Sequence, residues 1–361
     1  LEPALDHRAA ALRENASPAL DSAIKAEASK RVNQYLKGLR AYRSFPQTRK
    51  VKEAPVIWQS GTTRVRDYAP NAKKNAPVIL AVPSLINRYY IFDLDENHSF
   101  LREMAAQGFR PLVVDWDVPG DEEKPFGIGD YVLQRLAPAA EFIQKKFGMK
   151  PHVVGYCIGG VLTLALASLR PQLLRSLTLL ATPWDFHGSS TQTGPLFAML
   201  SKLVMPGVEK LGEVPVEFMQ AFFSALQPMQ VARKFSYFAE LDQTSTKAKD
   251  FVTLEDWLND AVPLSAGAAR DCLDLYSNNP TAKKRWKLAG QIIDPSQLTM
   301  PSYICVPGKD YIVPPEAARP LADMIHYTTL HQPSVGHIGM MASRSAAYEV
   351  WMPLRQWLAR H

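Results

Sequence analysis

The sequence predicts an α/β fold: a mostly parallel, doubly wound sheet with a helical cap inserted into it. Three observations carry this expectation. Short apolar segments (Val78–Val82, Pro111–Val114, His152–Tyr156 and Leu177–Ala181) alternate with helical ones at βαβ spacing. The strand segments are apolar along their length instead of alternating, as a sheet covered on both faces requires. The alternation stops after residue 183 and resumes near residue 296, which marks an insertion.

The elements follow in order. Residues 1–50 form an N-terminal segment in which Ala, Leu and charged residues recur at helical spacing, so it reads as helix packed on the body. An amphipathic surface-association helix is the other reading of this stretch. Residues 56–69 read as two strands around the Ser60-Gly61 turn. Helices are expected over Asn97–Gly108, Tyr131–Phe147 and Ile158–Leu169. Residues 51–183 and 296–361 together form the α/β core, and 184–295 the cap. In the cap, Phe197–Met205, Val216–Ala225 and Leu264–Tyr276 read as Met- and Phe-rich helices, with no evident buried strand. The core resumes with strand Ser302–Val306, helix Glu316–Ile325, strand Tyr327–His331 and a last helix over Ala346–Ala359.

Composition sets bounds on function. The 361 residues are 47% hydrophobic and 21% charged, which is ordinary for a globular chain with a full core. No run of 18 uninterrupted apolar residues suggests a membrane-spanning helix. The opening Leu1-Glu2-Pro3 lacks the pattern of a secretory signal; the chain does not start with Met, so a removed leader stays open. Three scattered cysteines are too few for a disulfide framework or a metal site, so no metal is expected. The net charge of +6 is dispersed, and no nucleic-acid-binding module is visible.

The chemistry centres on Gly155-Tyr156-Cys157-Ile158-Gly159-Gly160, which follows a predicted strand and opens a predicted helix. That context gives a G-x-nucleophile-x-G turn its meaning. Strand and helix approach closely there, so the flanking positions have no room for side chains. The helix N-terminus favours thiolate over thiol, and its free amides can hold an oxyanion. Taken alone, Cys157 is as consistent with a small buried hydrophobe.

Partners are sought in loops after the carboxyl ends of strands. Asp310 stands four residues past Val306, in a loop closed by Pro314 and Pro315. His337 stands between Gly336 and Gly339 in the loop after the last strand. Each alone reads as an ordinary loop residue. Their order, nucleophile then acid then His, is that of the α/β-hydrolase fold. The acid and base lie 153 and 180 residues beyond Cys157, with the cap between. Of the other histidines, His152 precedes a strand and His187 stands at the cap entry, where it could line the site. The Ile158 amide and the loop Pro83–Asn87, near Ile86, are the expected oxyanion donors. Arg88 and Lys309, basic residues in these loops, are candidates to attract the phosphates of an anionic substrate.

At these residues the sequence resembles the polyhydroxyalkanoate synthase family. The Cys157 turn is similar to its lipase-like box with cysteine in place of serine. Ile86-Asn87-Arg88-Tyr89-Tyr90-Ile91-Phe92-Asp93-Leu94 resembles its Asn-basic-Tyr-Tyr-Ile-x-Asp-Leu signature. Asp310-Tyr311-Ile312-Val313-Pro314 and Gly336-His337-Ile338 resemble its acid and base motifs, with Tyr311 where the family has His. The resemblance implies a Cys157–Asp310–His337 triad and substrate contacts at Asn87, Arg88, Tyr89 and Tyr311. It implies polymerisation of 3-hydroxyacyl-CoA, short-chain 3-hydroxybutyryl-CoA first, with no resident cofactor. It also implies a homodimer or a second synthase subunit, and a place on cytoplasmic polyester granules. A dienelactone-hydrolase-like or depolymerase-like enzyme is the hydrolytic alternative. A non-catalytic granule-associated subunit is the other.

Overall fold

The computed structural model describes residues 10, 17–46, 49–188, 204–226 and 228–361. The expected helix Phe197–Met205 lies largely outside them. The chain divides into two compact units: residues 1–48 with 222–253, and 49–221 with 254–361.

The larger unit is built on an eight-stranded sheet. Its strands are β1 (Val56–Ser60), β2 (Thr63–Asp67), β3 (Val78–Val82), β4 (Arg110–Asp115), β5 (His152–Tyr156), β6 (Ser176–Leu180), β7 (Ser302–Cys305) and β8 (Thr328–His331). They lie in the order β1-β2-β4-β3-β5-β6-β7-β8, with β1 and β2 antiparallel and the rest parallel. Every residue of β3, β5 and β6 is buried. The two faces are nevertheless distinct, because side chains alternate along a strand. Val78, Leu80 and Val82 point into one core with Leu162 and Leu166, while Ile79 and Ala81 point into the other with Phe100 and Trp351.

Proline explains most departures from the expected helices. Tyr131–Phe147 opens with a π-helical turn over Tyr131–Leu136 before α-helix Ala137–Phe147, which carries Pro138 in its first turn. Ala347–Trp351 and Met352–Leu358 repeat the arrangement around Pro353. Pro320 divides the expected helix Glu316–Ile325 into Pro315–Ala318 and Pro320–Met324. A proline lacks the amide that continues an α-helical ladder.

The smaller unit joins helix Pro18–Ser44 to part of the insertion. Ser17 caps the helix by accepting the Leu20 amide at 3.2 Å. Gly38 is its one buried residue: a β-carbon there would overlap the Phe235 carbonyl of helix Pro228–Phe238. Around this contact Tyr35 and Tyr42 pack on Phe235, and Phe238 stacks on Phe251 at 4.4 Å between centroids. The helical insertion expected as one cap over 184–295 is therefore divided. Residues 222–253 group with the N-terminal helix, and the flanks stay with the sheet unit. The flanks also carry two short ladders unseen in the sequence, Glu213–Val214 with Leu264–Ser265 and Lys287–Leu288 with Gln291–Ile292.

Candidate active site

Strand β5 ends at Cys157, whose backbone takes φ +57° and ψ −126° before helix Ile158–Leu169 begins. A side chain in that region costs about 1–3 kcal/mol, so the surroundings must enforce it. They do so through glycine. A β-carbon at Gly155 would meet Thr163 Oγ1 and the Gly160 backbone, and one at Gly159 would meet the carbonyls of Val82 and Pro83. Cys157 N–H donates to the Leu180 carbonyl at 2.9 Å, tying the turn to β6. The Cys157 side chain is left half-buried between the two cores.

Asp310 is placed by the loop after β7. Its Oδ1 accepts the Ile312 and Val313 amides at 2.9 and 2.8 Å, which aims Oδ2 at His337 Nδ1, 2.6 Å away. The loop after β8 is zipped to it: Gly308 N–H donates to Pro333 O and Lys309 N–H to Val335 O. Tyr156, the residue before Cys157, donates its hydroxyl to the His337 carbonyl at 3.1 Å. Its ring lies 5.1 Å from the imidazole. With Nδ1 engaged by Asp310, the His337 imidazole also feels the Cys157 side chain.

Burial alone would hold the His337 imidazole neutral. The Cys157 charge and the Asp310 bond outweigh it and push the pKa up to about 10. A histidine backed by a carboxylate in this way is suited to take a proton from a neighbouring group. Helix Ala266–Asn278 brings two further groups within electrostatic reach of Cys157. Burial, then Asp271 and Cys157, push the Cys272 thiol up to about 12. Burial, then Cys157 and Cys272, push the Tyr276 phenol up as well.

The structure brings Cys157, Asp310 and His337 together. Ile158 opens its helix, where the first amides lack intrahelical acceptors. Ile86 lies in the loop that Gly159 touches through Val82 and Pro83. Its carbonyl accepts from Val262 N–H, and Asn87, half-buried, bridges to Ala261. Tyr311 is 74% exposed beside Asp310, and Lys309 is exposed as well.

Two expectations need correction. Tyr89 is only 4% exposed and packs in the core, with the Arg66 guanidinium 5.1 Å over its ring. Its place is structural, because the turn Tyr89–Phe92 rolls the ring inward. Arg88 is committed to carboxylates, with Asp117 at 2.8 Å and Asp260 at 3.3 Å, instead of standing free for phosphates. Sequence reasoning missed Tyr156 as the anchor of His337, although it adjoins the nucleophile. It also missed Asp260 as a partner of Arg88, for which only a matching charge far along the chain could have served as a signal.

The alpha/beta hydrolase family profile matches residues 79–349, and one for the poly-beta-hydroxybutyrate polymerase (PhaC) N-terminus matches residues 45–104. The poly(3-hydroxyalkanoate) polymerase subunit PhaC of Haloferax mediterranei is 27% identical over 313 residues. That alignment covers 84% of this chain but only 63% of the relative's length. The subunit of the same name from Allochromatium vinosum is 28% identical over 300 residues, covering 81% of this chain and 83% of the relative. Among solved structures, a monoacylglycerol lipase from Paleococcus ferrophilus superposes with a TM-score of 0.54 at 14% identity, covering 83% of this chain and 99% of its own. That likeness shows the fold. The chain belongs to the alpha/beta hydrolase family, and its sequence similarity within that family runs to the poly(3-hydroxyalkanoate) polymerases.

Proposed function

We propose that this chain is an acyltransferase that polymerises 3-hydroxyacyl-CoA, short-chain 3-hydroxybutyryl-CoA first, into polyhydroxyalkanoate. The observation that carries the reading is a cysteine at a strained strand–helix turn, electrostatically coupled to a buried His337–Asp310 pair, in a chain whose curated relatives are named polymerases. His337 takes the Cys157 proton, and the thiolate adds to the thioester carbonyl. The Ile158 amide and the loop at Ile86 hold the oxyanion. The carbon–sulfur bond to CoA breaks, His337 returns the proton to the departing thiolate, and the acyl group stays on Cys157. The 3-hydroxyl of the next unit then gives its proton to His337 and attacks the acyl carbon. The bond to the Cys157 sulfur breaks, and the sulfur takes that proton back from His337. The lengthened chain leaves on the CoA of the incoming unit, ready to acylate Cys157 again. A thiolate leaves more readily than an alkoxide, so cysteine suits repeated transfer. Asp310 orients His337 or helps to activate the incoming hydroxyl. CoA is substrate here, and no resident cofactor is required.

Among the described residues no helix is long and apolar enough to cross a membrane. Our reading places the chain on the surface of cytoplasmic polyester granules, as a homodimer or with a second synthase subunit. The "subunit" in the relatives' names supports the latter. The test is to mix the purified chain with 3-hydroxybutyryl-CoA, with and without a co-expressed partner, and to measure CoA and polymer. Polymer with stoichiometric CoA is expected. CoA with free acid alone would overturn the reading in favour of a hydrolase, and no CoA in either case would favour a non-catalytic subunit.

A further inference from the structure

The loop after β3, which carries Ile86, is held from outside by the segment just beyond helix Thr246–Asn259. Three kinds of bond converge there. Val262 N–H donates to Ile86 O at 3.2 Å, and Asn87 bridges to Ala261. Trp257 Nε1 donates to Arg88 O at 2.9 Å. Asp260 accepts from Arg88 Nε at 3.3 Å on one oxygen and from Tyr90 hydroxyl at 2.7 Å on the other.

Arg88 also reaches the neighbouring strand end. Its Nη1 donates to Asp117 Oδ1 at 2.8 Å, and Asp117 accepts from Arg64 on its other oxygen at 2.9 Å. Asp117 itself sits at φ +56°, a conformation that a side chain adopts at a cost. The half-buried Arg88 guanidinium thus ties the β3 loop, the β4 loop and residue 260 together. This is more than a loop needs merely to cross the surface. On the inner side, the same loop abuts the nucleophile turn through Gly159.

The geometry points to Asp260 and Arg88 as positioning residues: a latch that sets the β3 loop so that its amide meets the oxyanion. The inference rests on that loop being the second oxyanion donor in the proposed reaction. It assigns Arg88 a task other than phosphate binding. The latch acts through the loop, so it affects carbonyl addition and not the nucleophilicity of Cys157. A donor displaced by a fraction of an ångström loses much of its effect on a developing charge, while a reaction without an oxyanion does not register the shift.

Two reagents on the full chain separate these effects. p-Nitrophenyl acetate acylates Cys157 by carbonyl addition, with loss of p-nitrophenolate. Iodoacetamide alkylates the same sulfur at a saturated carbon, with loss of iodide and no oxyanion. Both rates are read on the Cys157 peptide by mass spectrometry, with a melting curve for each variant. Asp260→Asn is expected to slow acylation about 10- to 100-fold while alkylation changes less than about twofold. Arg88→Lys should fall between it and the parent chain, since one ammonium cannot span both carboxylates. Asp260→Glu should recover part of the loss. Equal slowing of both reactions, or slowing of neither, overturns the latch, as does a parent chain that is alkylated but never acylated. A chain that follows the expected pattern yet makes no polymer keeps the latch and removes the polymerase reading.

Discussion

Strand β5 has a buried histidine at its amino end and serves one at its carboxyl end, and the two behave oppositely. His152, 1% exposed, opens the strand and shares a 2.7 Å hydrogen bond between its Nδ1 and the Ser176 hydroxyl. Burial, helped by Arg175 and His361, lowers its pKa to about 4. His337, 7% exposed, faces the turn at the other end, and there Cys157 and Asp310 overcome the same burial penalty and raise the pKa to about 10. Burial therefore does not by itself decide how a histidine titrates. What decides it is whether neighbouring groups favour the charged form strongly enough to reverse the effect of burial.

The largest expected contrast is in turnover. Asp310→Asn should cost on the order of 10³- to 10⁴-fold in kcat, because an amide behind Nδ1 no longer stabilises the imidazolium. His152→Gln at the opposite end should leave kcat within about threefold while lowering stability, because removing a buried partner costs about 1–3 kcal/mol. Steady-state CoA release and chemical denaturation separate the two. Equal losses of kcat would erase the distinction between the ends.

Backbone substitutions sharpen it next. Gly159→Ala should cost about 3 kcal/mol, since the new methyl must displace the Val82 and Pro83 carbonyls. Gly148, near the amino end of β5, has φ +69° and open space around it. Gly148→Ala should cost only about 1 kcal/mol, the conformational penalty alone. Urea midpoints compare them directly.

The two histidines also predict opposite pH limbs. His152 binds its proton less readily folded than unfolded. Its contribution is whole above about pH 6.5 and is lost as pH falls toward about 4, up to about 3 kcal/mol. His337 binds its proton more readily folded. Its contribution is whole below about pH 6.5 and is lost as pH rises through about 10. Melting temperatures across pH 4–11 should show His152→Gln flattening the acid limb and His337→Gln the alkaline one. The smallest effect is on titration alone. In Cys157→Ala, His337 should titrate lower than in the parent chain by nuclear magnetic resonance, because the strongest upward influence on it is gone.

Much of this site could be read in the chain, for a local reason. The nucleophile turn needs close strand–helix contact, and Gly155, Gly159 and Gly160 record that need within six residues. Asp310 and His337 follow strands, so topology places them once the strands are found. Tyr89 was misplaced because a tyrosine beside a signature motif reads the same whether its ring turns outward or under Arg66. Arg88 was misread because its partners Asp117 and Asp260 lie 29 and 172 residues away.

The sequence alone determined the α/β architecture, the nucleophile turn and the order of Cys157, Asp310 and His337. These depend on apolar periodicity and on steric limits that act within a few residues. Tertiary structure alone decided how the insertion divides, which groups surround each buried histidine and what holds the β3 loop. Those depend on groups brought together by folding, whose fields and hydrogen bonds leave no trace in their spacing along the chain.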